Sequence, residues 1–108
     1  MIKISIIYPN EENSHFDHDY YRNTHMPLIQ KLAGNACKFY TIDRGLASKA
    51  PETAPPFIAM CHFYCDSNDA FWTALAPHAE EIDADMPKYT NIVPIIQVSE
   101  TVGEIRQI

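Results

Sequence analysis

Glycine is scarce in this sequence, with three residues among 108. The G-x-G-x-x-G loop that holds the phosphates of dinucleotide cofactors is missing, as is the G-x-S-x-G turn that carries the serine of α/β-hydrolases. The local sequence suggests no Ser-His-Asp or Cys-His pairing in their place. These absences argue against a nicotinamide or flavin enzyme and against a nucleophilic hydrolase.

Basic residues are also few. Eight Lys and Arg residues stand against fourteen Asp and Glu residues, so the formal net charge is -6, and no basic run occurs. Such a chain has no electrostatic reason to bind nucleic acid or an anionic membrane. No apolar run approaches the roughly 20 residues of a membrane span, and Met1 leads directly into a strand pattern rather than a signal peptide. We therefore expect a cytoplasmic protein.

The cysteines, Cys37, Cys61 and Cys65, form an odd set. Their spacing matches neither a zinc ribbon nor a C-x-x-C redox pair. Cys61 and Cys65 are four residues apart in a predicted strand, too far from each other to form a disulfide. All three are expected to be reduced thiols that act as small core hydrophobes.

Apolar periodicity predicts four strands and two helices. The first helix begins at Asp17, whose carboxylate suits an N-cap, and ends at Gly34; the second opens within 66–69. Pro27 and Pro77 interrupt the helical patterns, so each helix should be kinked or split. The strands are expected at 2–8, 36–46, 57–65 and 91–99.

The order β-α-β-β-α-β predicts a single α+β domain over 1–108 with a ferredoxin-like fold, in which two helices cover one face of a four-stranded antiparallel sheet. The third strand is apolar on both faces, yet the helices can cover only one of them. Because large apolar faces are seldom left in water, we expect a homodimer that pairs through its sheet faces.

The first helix carries the most informative segment, F-D-H-D-Y-Y-R-N-T-H-M-P-L. Helical spacing places Tyr21, His25, Leu28 and Leu32 on one buried stripe. Because Pro27 has no N–H, it leaves a backbone carbonyl of the preceding turn without its usual partner. His25 is therefore either a core residue that bonds such a carbonyl or a polar group that faces a pocket.

Three parts of the chain together resemble the EthD family: the Y-P-N that ends the first strand, the helix-1 segment, and the late D-M-P-K-Y-T-N-I-V-P. The resemblance covers essentially the whole chain. It implies a monomer that pairs into a dimeric α+β barrel with a ligand pocket between sheet and helices. The family takes its name from a protein associated with bacterial breakdown of alkyl ethers, and the barrel superfamily includes cofactor-independent monooxygenases, isomerases and haem-degrading enzymes.

The resemblance and the periodicity together make His25 the candidate catalytic base, since a neutral imidazole in an apolar pocket can accept a proton from a small oxygenated substrate. Tyr21 shares its face and is either a substrate-binding or a packing residue. The second helix predicts a matching stripe that includes His78, either a pocket residue or a half-exposed one. Haem-handling relatives use a helix histidine as iron ligand, so His78 is also the candidate for a haem site, although no cofactor is predicted.

Three further residues complete the candidate pocket. Tyr20 is either a second phenol of the site or a packing residue, and Asp85 is either an acceptor for the turn before the last strand or a pocket acid. His62 faces either the cavity or the dimer interface. The segment that contains His15 and His18 straddles the helix start, so no metal site is predicted there.

The predicted function is a small homodimer that acts on a small hydrophobic, oxygenated or aromatic metabolite in catabolism. The reaction class would be a cofactor-independent oxygenation, isomerisation or dehydration, with an oxidoreductase of ether degradation among the cases. A binding or accessory protein without catalysis is the alternative.

Overall fold

The computed structural model describes residues 1–107, and they form an antiparallel sheet with strand order β2-β3-β1-β4. The predicted α+β class and the four-stranded sheet are confirmed. The second and fourth strands are shorter than predicted, because a 3₁₀ turn at Gly34–Ala36 and Pro94 hold neighbouring residues outside the ladder. The strands are β1 (Ile2–Pro9), β2 (Phe39–Arg44), β3 (Phe57–Cys65) and β4 (Ile95–Glu100).

Each predicted helix is divided into shorter segments. The first helical run comprises α1 (His18–Tyr20), a π-helical turn (Tyr21–His25) and α2 (Met26–Ala33). The second helical run comprises α3 (Asn68–Leu75), a 3₁₀ turn (Ala76–His78), α4 (Ala79–Asp85) and a final 3₁₀ turn (Met86–Lys88). Within residues 1–107 no helix has the length and apolar character needed to cross a bilayer.

Both helical runs begin with a side-chain cap. The Tyr20 backbone N–H donates to Asp17 Oδ1 over 3.0 Å, as predicted for Asp17. The Ala70 N–H donates to Ser67 Oγ over 3.1 Å in the same way. Asp17 also fixes the entry of the first run, since its own N–H donates to the Tyr89 carbonyl over 2.8 Å.

The π-helical turn changes the predicted buried stripe. Tyr21 and His25 are buried as expected, but Met26 and Ile29 are buried in place of Leu28, which is half-buried. The Met26 N–H bonds the Tyr21 carbonyl five residues back, so the turn holds an extra residue. The predicted stripe is therefore wrong at Leu28, because the extra residue shifts the following positions around the helix axis, whereas Leu32 still packs against the core.

The helices pack on the sheet face formed by alternate residues of the central strands. Ile4 and Tyr8 of β1 and Cys61 and Phe63 of β3 are all buried there. The opposite face, which we call the outer face, carries the other alternate residues and no helix. Its central members are Ser5, Ile7, Met60, His62 and Tyr64.

Candidate functional site

A pocket of about 180 Å³ lies between the helix-facing side of the sheet and the two helical runs. For comparison, an apolar cavity of about 150 Å³ is large enough for benzene. The pocket can therefore hold a small ring-sized ligand. Its walls are mainly apolar, and they include Ile6, Met26, Phe63, Phe71, Leu75 and Ile96.

His25 supplies the main polar atom of this pocket. Its side chain is 6% exposed, and Nδ1 lies 2.8 Å from Asp85 Oδ2. The other ring nitrogen, Nε2, lies 3.3 Å from the Tyr89 hydroxyl. The partner of His25 is thus a carboxylate rather than a backbone carbonyl freed by Pro27.

The environment of His25 keeps its ring neutral. Burial lowers the pKa of His25 below its ordinary value of 6.5, and the hydrogen bond and negative charge of Asp85 offset this only in part. A neutral ring beside a carboxylate carries its proton on Nδ1, because a carboxylate can only accept. Nε2 is therefore unprotonated and accepts the long hydrogen bond from the Tyr89 hydroxyl, in the state that a general base needs.

Asp85 is held from several sides at the end of α4. Tyr20 donates its hydroxyl to Oδ1 over 2.6 Å, and Lys88 Nζ lies 3.7 Å from the same oxygen. Burial raises the pKa of the Asp85 carboxyl, but the hydrogen bonds from Tyr20 and His25 and the nearby positive charge outweigh it, so the net pKa lies below its ordinary value. The carboxylate is ionised and fixed in orientation.

Two buried tyrosine hydroxyls complete the polar end of the pocket. Tyr8 and Tyr89 are 2.9 Å apart at their oxygens, and both line the cavity. Burial raises the pKa of Tyr8 to about 12 and raises that of Tyr89 as well, so both stay protonated. Hydrogen bonds thus run without interruption from Tyr8 through Tyr89, His25 and Asp85 to Tyr20.

The structure brings together four of the six predicted site residues. His25 and Tyr21 line the pocket, and their rings lie 5.6 Å apart and nearly parallel. Asp85 and Tyr20 do not line the pocket, but Asp85 bonds His25 and Tyr20 bonds Asp85. Tyr8 and Tyr89 were missed as site residues, although Tyr8 continues the alternation of the first strand and Tyr89 belongs to the second family-like segment.

His78 is not among the residues that line the pocket. Its side chain is 39% exposed, and Nδ1 lies 3.8 Å from Glu81. The 3₁₀ turn Ala76–His78 has about three residues per turn, so His78 falls off the stripe that continues through Ile82. A haem in this pocket would not have His78 as its iron ligand. Among the described residues no cluster of three His, Cys, Asp or Glu side chains has metal-binding geometry.

His62 lies on the outer face and not in the cavity. Its Nδ1 is 2.6 Å from Ser5 Oγ, and its Nε2 is 3.2 Å from Asp43 Oδ2. Local sequence gave no sign of this Ser-His-Asp arrangement, since three different strands contribute to it. Ser5 is a poor nucleophile candidate, because it is buried in β1 between two strands whose ladders use the backbone N–H groups that an oxyanion hole would need.

Comparisons with known proteins agree with the sequence motifs. The family model for the EthD domain matches residues 11–92. The chain is similar to the crystal structure of an EthD-like protein from Ralstonia eutropha JMP134, with 44% identity, a TM-score of 0.91, and coverage of 96% of this chain and 94% of that one.

Two more distant structures share the fold. One is an ethyl tert-butyl ether d (EthD) family protein from Bacillus halodurans C-125, with 23% identity, a TM-score of 0.64, and coverage of 94% of this chain and 99% of that one. The other is HapK from Hahella chejuensis, with 13% identity, a TM-score of 0.60, and coverage of 100% and 99%. Among curated proteins, none matches the chain.

Proposed function

The chain belongs to the EthD domain family, and from this premise we propose that it is an enzyme that removes a proton from a small, mostly apolar, oxygen-bearing molecule, with His25 as the base. The observation that carries the proposal is the pairing of His25 with Asp85 at the polar end of an apolar pocket. A buried ionisable pair costs desolvation energy that an apolar pair of the same shape would not. This cost supports a functional role for the pair.

The geometry assigns a role to each polar group. Asp85 accepts from Nδ1–H, which fixes the tautomer and stabilises the imidazolium that forms when Nε2 takes a proton. The Tyr89 hydroxyl is 3.3 Å from Nε2, a long hydrogen bond that a substrate can replace. The released hydroxyls of Tyr89 and Tyr8 would then donate to the substrate oxygen, where negative charge develops.

Removal of a proton from a carbon beside an oxygen-bearing group is the first step shared by isomerisation, dehydration and cofactor-independent oxygenation. The apolar walls favour a ligand with few polar atoms, and the volume favours one small ring or a short branched chain. We propose this substrate class for a catabolic reaction, with ether breakdown products among the candidates. Which of these reactions takes place depends on the group or molecule with which the carbanion or enolate then reacts.

Substitution of the base tests the proposal. Small phenols, enols and hydroxyketones are screened for turnover by the native chain. For any substrate found, turnover by His25→Gln should be about 10²- to 10⁴-fold lower than turnover by the native chain. His78→Gln is the matched control, since it changes a histidine that lies outside the pocket, and it should retain full turnover. Ligands that bind equally well to the native chain and to His25→Gln, and that react with neither, would favour a binding protein instead.

We also propose that two copies pair through their outer faces in the cytoplasm. Phe39 stacks on Tyr64 there yet remains 48% exposed, and Ile95 is 52% exposed at the other edge of the same face. Ile7, Met60 and Ile95 form an apolar patch with no helix over it, and a polar row that contains Ser5 and His62 lies between this patch and Phe39. Such a surface supports a self-complementary interface.

A further inference from the structure

We propose that the pocket binds an oxygen-bearing ring with an unbranched alkyl tail, and that the tail leaves the pocket along β4, over Ile96 and Val98. The proposal rests on the proposed function, because the ring is the group on which His25 acts. It adds the chemical class of the part of the ligand that lies outside the pocket. Ile96 and Val98, which we call the β4 strip, are the residues that select for this tail.

The pocket has a buried end and an open end. Tyr8, His25 and Tyr89 lie at the buried end, and each of them is at most 5% exposed. The half-buried and exposed residues of the lining come mainly from the second helical run and from the chain that enters β4: Ile82, Asp83, Met86, Pro94 and Ile96. The mouth of the pocket therefore lies between the second helical run and β4.

The strand register gives the direction from the buried end to the mouth. Tyr8, Ile6 and Ile4 follow one another on the helix-facing side of β1. Ile96 pairs with Ile6 and Val98 with Ile4, so these two side chains of β4 lie on the same side of the sheet. The path from Tyr8 past Ile96 to Val98 follows the strand direction, and its last step, from residue 96 to residue 98, measures about 7 Å.

The β4 strip is unusually exposed for the helix-facing side of the sheet. Ile4 is fully buried, whereas its neighbour Val98 is 43% exposed and Ile96 is 53% exposed. The helical runs thus cover β1 and leave apolar side chains uncovered on the edge strand β4. Because Ile96 also lines the pocket, the strip is continuous with the cavity, and an apolar group that leaves the cavity would remove it from water.

The size of the cavity limits how much of a ligand can stay inside it. A volume of about 180 Å³ is filled by one small ring, so any further carbon atoms must pass the mouth. An unbranched tail of roughly four to six carbons reaches from the mouth to Val98. Among the described residues of the lining, Asp83 is the only carboxylate, and it lies at the mouth. An uncharged tail is therefore favoured over one that ends in a carboxylate.

Binding of a homologous series tests the proposal. The ligands are phenol, 4-butylphenol and 4-hexylphenol, and the signal is the fluorescence of Trp72, the single tryptophan of the chain, which lines the pocket. The affinity should rise about twofold to fourfold for each added methylene. Equal affinities for phenol and 4-hexylphenol would overturn the proposal, and so would the absence of 4-hexylphenol binding up to its solubility limit.

A matched pair of variants locates the tail. In Val98→Asp, the ratio of the affinities for 4-hexylphenol and phenol should fall about threefold to tenfold, because the tail would remove water from a carboxylate. Val93→Asp is the control, since Val93 is 85% exposed just before β4 and does not line the pocket, and it should keep the native ratio. An equal fall in both variants, or no fall in a folded Val98→Asp chain, would contradict the position of the tail.

NMR identifies what lies on the β4 strip. In the complex, the terminal methyl group of 4-hexylphenol should show nuclear Overhauser contacts with the Val98 methyl groups. Contacts with Ile7 or Met60 instead would show adsorption on the outer face and would overturn the proposal. Contacts between Val98 and another chain in the ligand-free protein would show that a second copy covers the strip, which would overturn it as well.

The outcome for the tail is separable from the outcome for the base. His25→Gln should keep the increase of affinity with tail length, because the β4 strip does not depend on the base. Tail-dependent binding without turnover of any ligand would remove the catalytic role of His25 and support the tail site. Turnover of ring substrates with no dependence of affinity on tail length would remove the tail site and leave His25 as the base.

Discussion

A neutral imidazole and an ionised carboxylate share a 2.8 Å hydrogen bond in the interior of this small protein. Desolvation favours the neutral form of His25, while Asp85 keeps its charge because Tyr20, His25 and Lys88 stabilise it. Both pKa values lie below their ordinary values, so at neutral pH His25 is in its acceptor state and Asp85 carries its charge. This is the arrangement that acid–base chemistry near neutral pH requires.

The pH dependence of turnover should report the lowered pKa of His25. Since the folded pKa lies below 6.5, turnover should be constant above about pH 6.5 and fall only at lower pH, as Nε2 becomes protonated. NMR titration of the His25 ring nitrogens should give the same midpoint as the acid limb of kcat/KM. A limb centred above 6.5 would contradict the neutral-base assignment.

The same shift has a consequence for stability. In the range between the folded pKa and the unfolded value near 6.5, the unfolded chain binds more protons than the folded one. The contribution of His25 is therefore fully present above about pH 6.5 and is lost as the pH falls toward the folded pKa. Urea unfolding at a series of pH values should show this loss in the native chain. His25→Gln is the control and should not show that component.

Asp85→Asn tests the positioning role of the carboxylate. The amide cannot stabilise an imidazolium by charge, and the pKa of His25 should fall further, because the carboxylate was the influence that raised it. We expect kcat to drop by about 10²-fold or more while KM changes little. The acid limb should also move to lower pH, a shift that a merely structural role for Asp85 would not produce.

Tyr20→Phe perturbs the same carboxylate less than Asp85→Asn does. It removes one hydrogen bond to Asp85 and leaves the carboxylate and its bond to His25 in place. The loss of turnover should therefore be clearly smaller than in Asp85→Asn. An equal loss would place Tyr20 itself in the chemistry.

At the scale of elements, the first helical run depends on a single cap for its direction. Asp17 accepts from the Tyr20 N–H and also donates its own N–H to the Tyr89 carbonyl, which ties the run to the residues before β4. Asp17→Ala should destabilise the fold by about 1 kcal/mol and lower Tm by roughly 4–8 °C. Asp19→Ala is the matched control, because Asp19 is an exposed acid of the same turn without the cap bond. Equal losses in both variants would contradict the capping role.

The sequence was sufficient to predict the strands and the start of the first helical run, but not the exact geometry of that run. Period-two and helical patterns predicted the strands, the Asp17 cap and the burial of Tyr21 and His25 correctly. The predicted stripe was wrong at Leu28 because a periodicity argument assumes about 3.6 residues per turn, and the π-helical turn at Tyr21–His25 holds more. No residue type in this segment predicts a π-helical turn.

The prediction for His78 in the second helical run was wrong for the opposite reason, since the turn there holds fewer residues. The tight 3₁₀ turn at Ala76–His78 moved His78 off the stripe toward solvent. The partner of His25 was also beyond local reasoning, since Asp85 lies 60 residues later in the chain. Pairs of this kind are created by tertiary packing, so the sequence could offer both residues as candidates without joining them.

At the scale of the whole molecule, the sheet separates two chemically different sides. The helix-facing side contains the pocket and its hydrogen-bonded chain, while the outer face carries Met60, His62 and Tyr64 with no helix above them. A chain of this size buries a limited share of its surface on folding, so a second copy over the outer face would add substantially to its stability. The site and the proposed interface therefore lie on opposite faces of the same central strands.

Met60→Lys tests that interface. Met60 lies near the middle of the outer face, so an ammonium group there would be in water in a monomer and buried without a partner in a face-to-face dimer. We expect light scattering to show a dimeric mass for the native chain and a monomeric mass for the variant at micromolar concentration, with unchanged far-UV circular dichroism. Leu46→Lys is the control, because Leu46 is 84% exposed outside the sheet, and it should stay dimeric. A native chain that is monomeric, or a Met60→Lys chain that stays fully dimeric, would show that the outer face is not the interface.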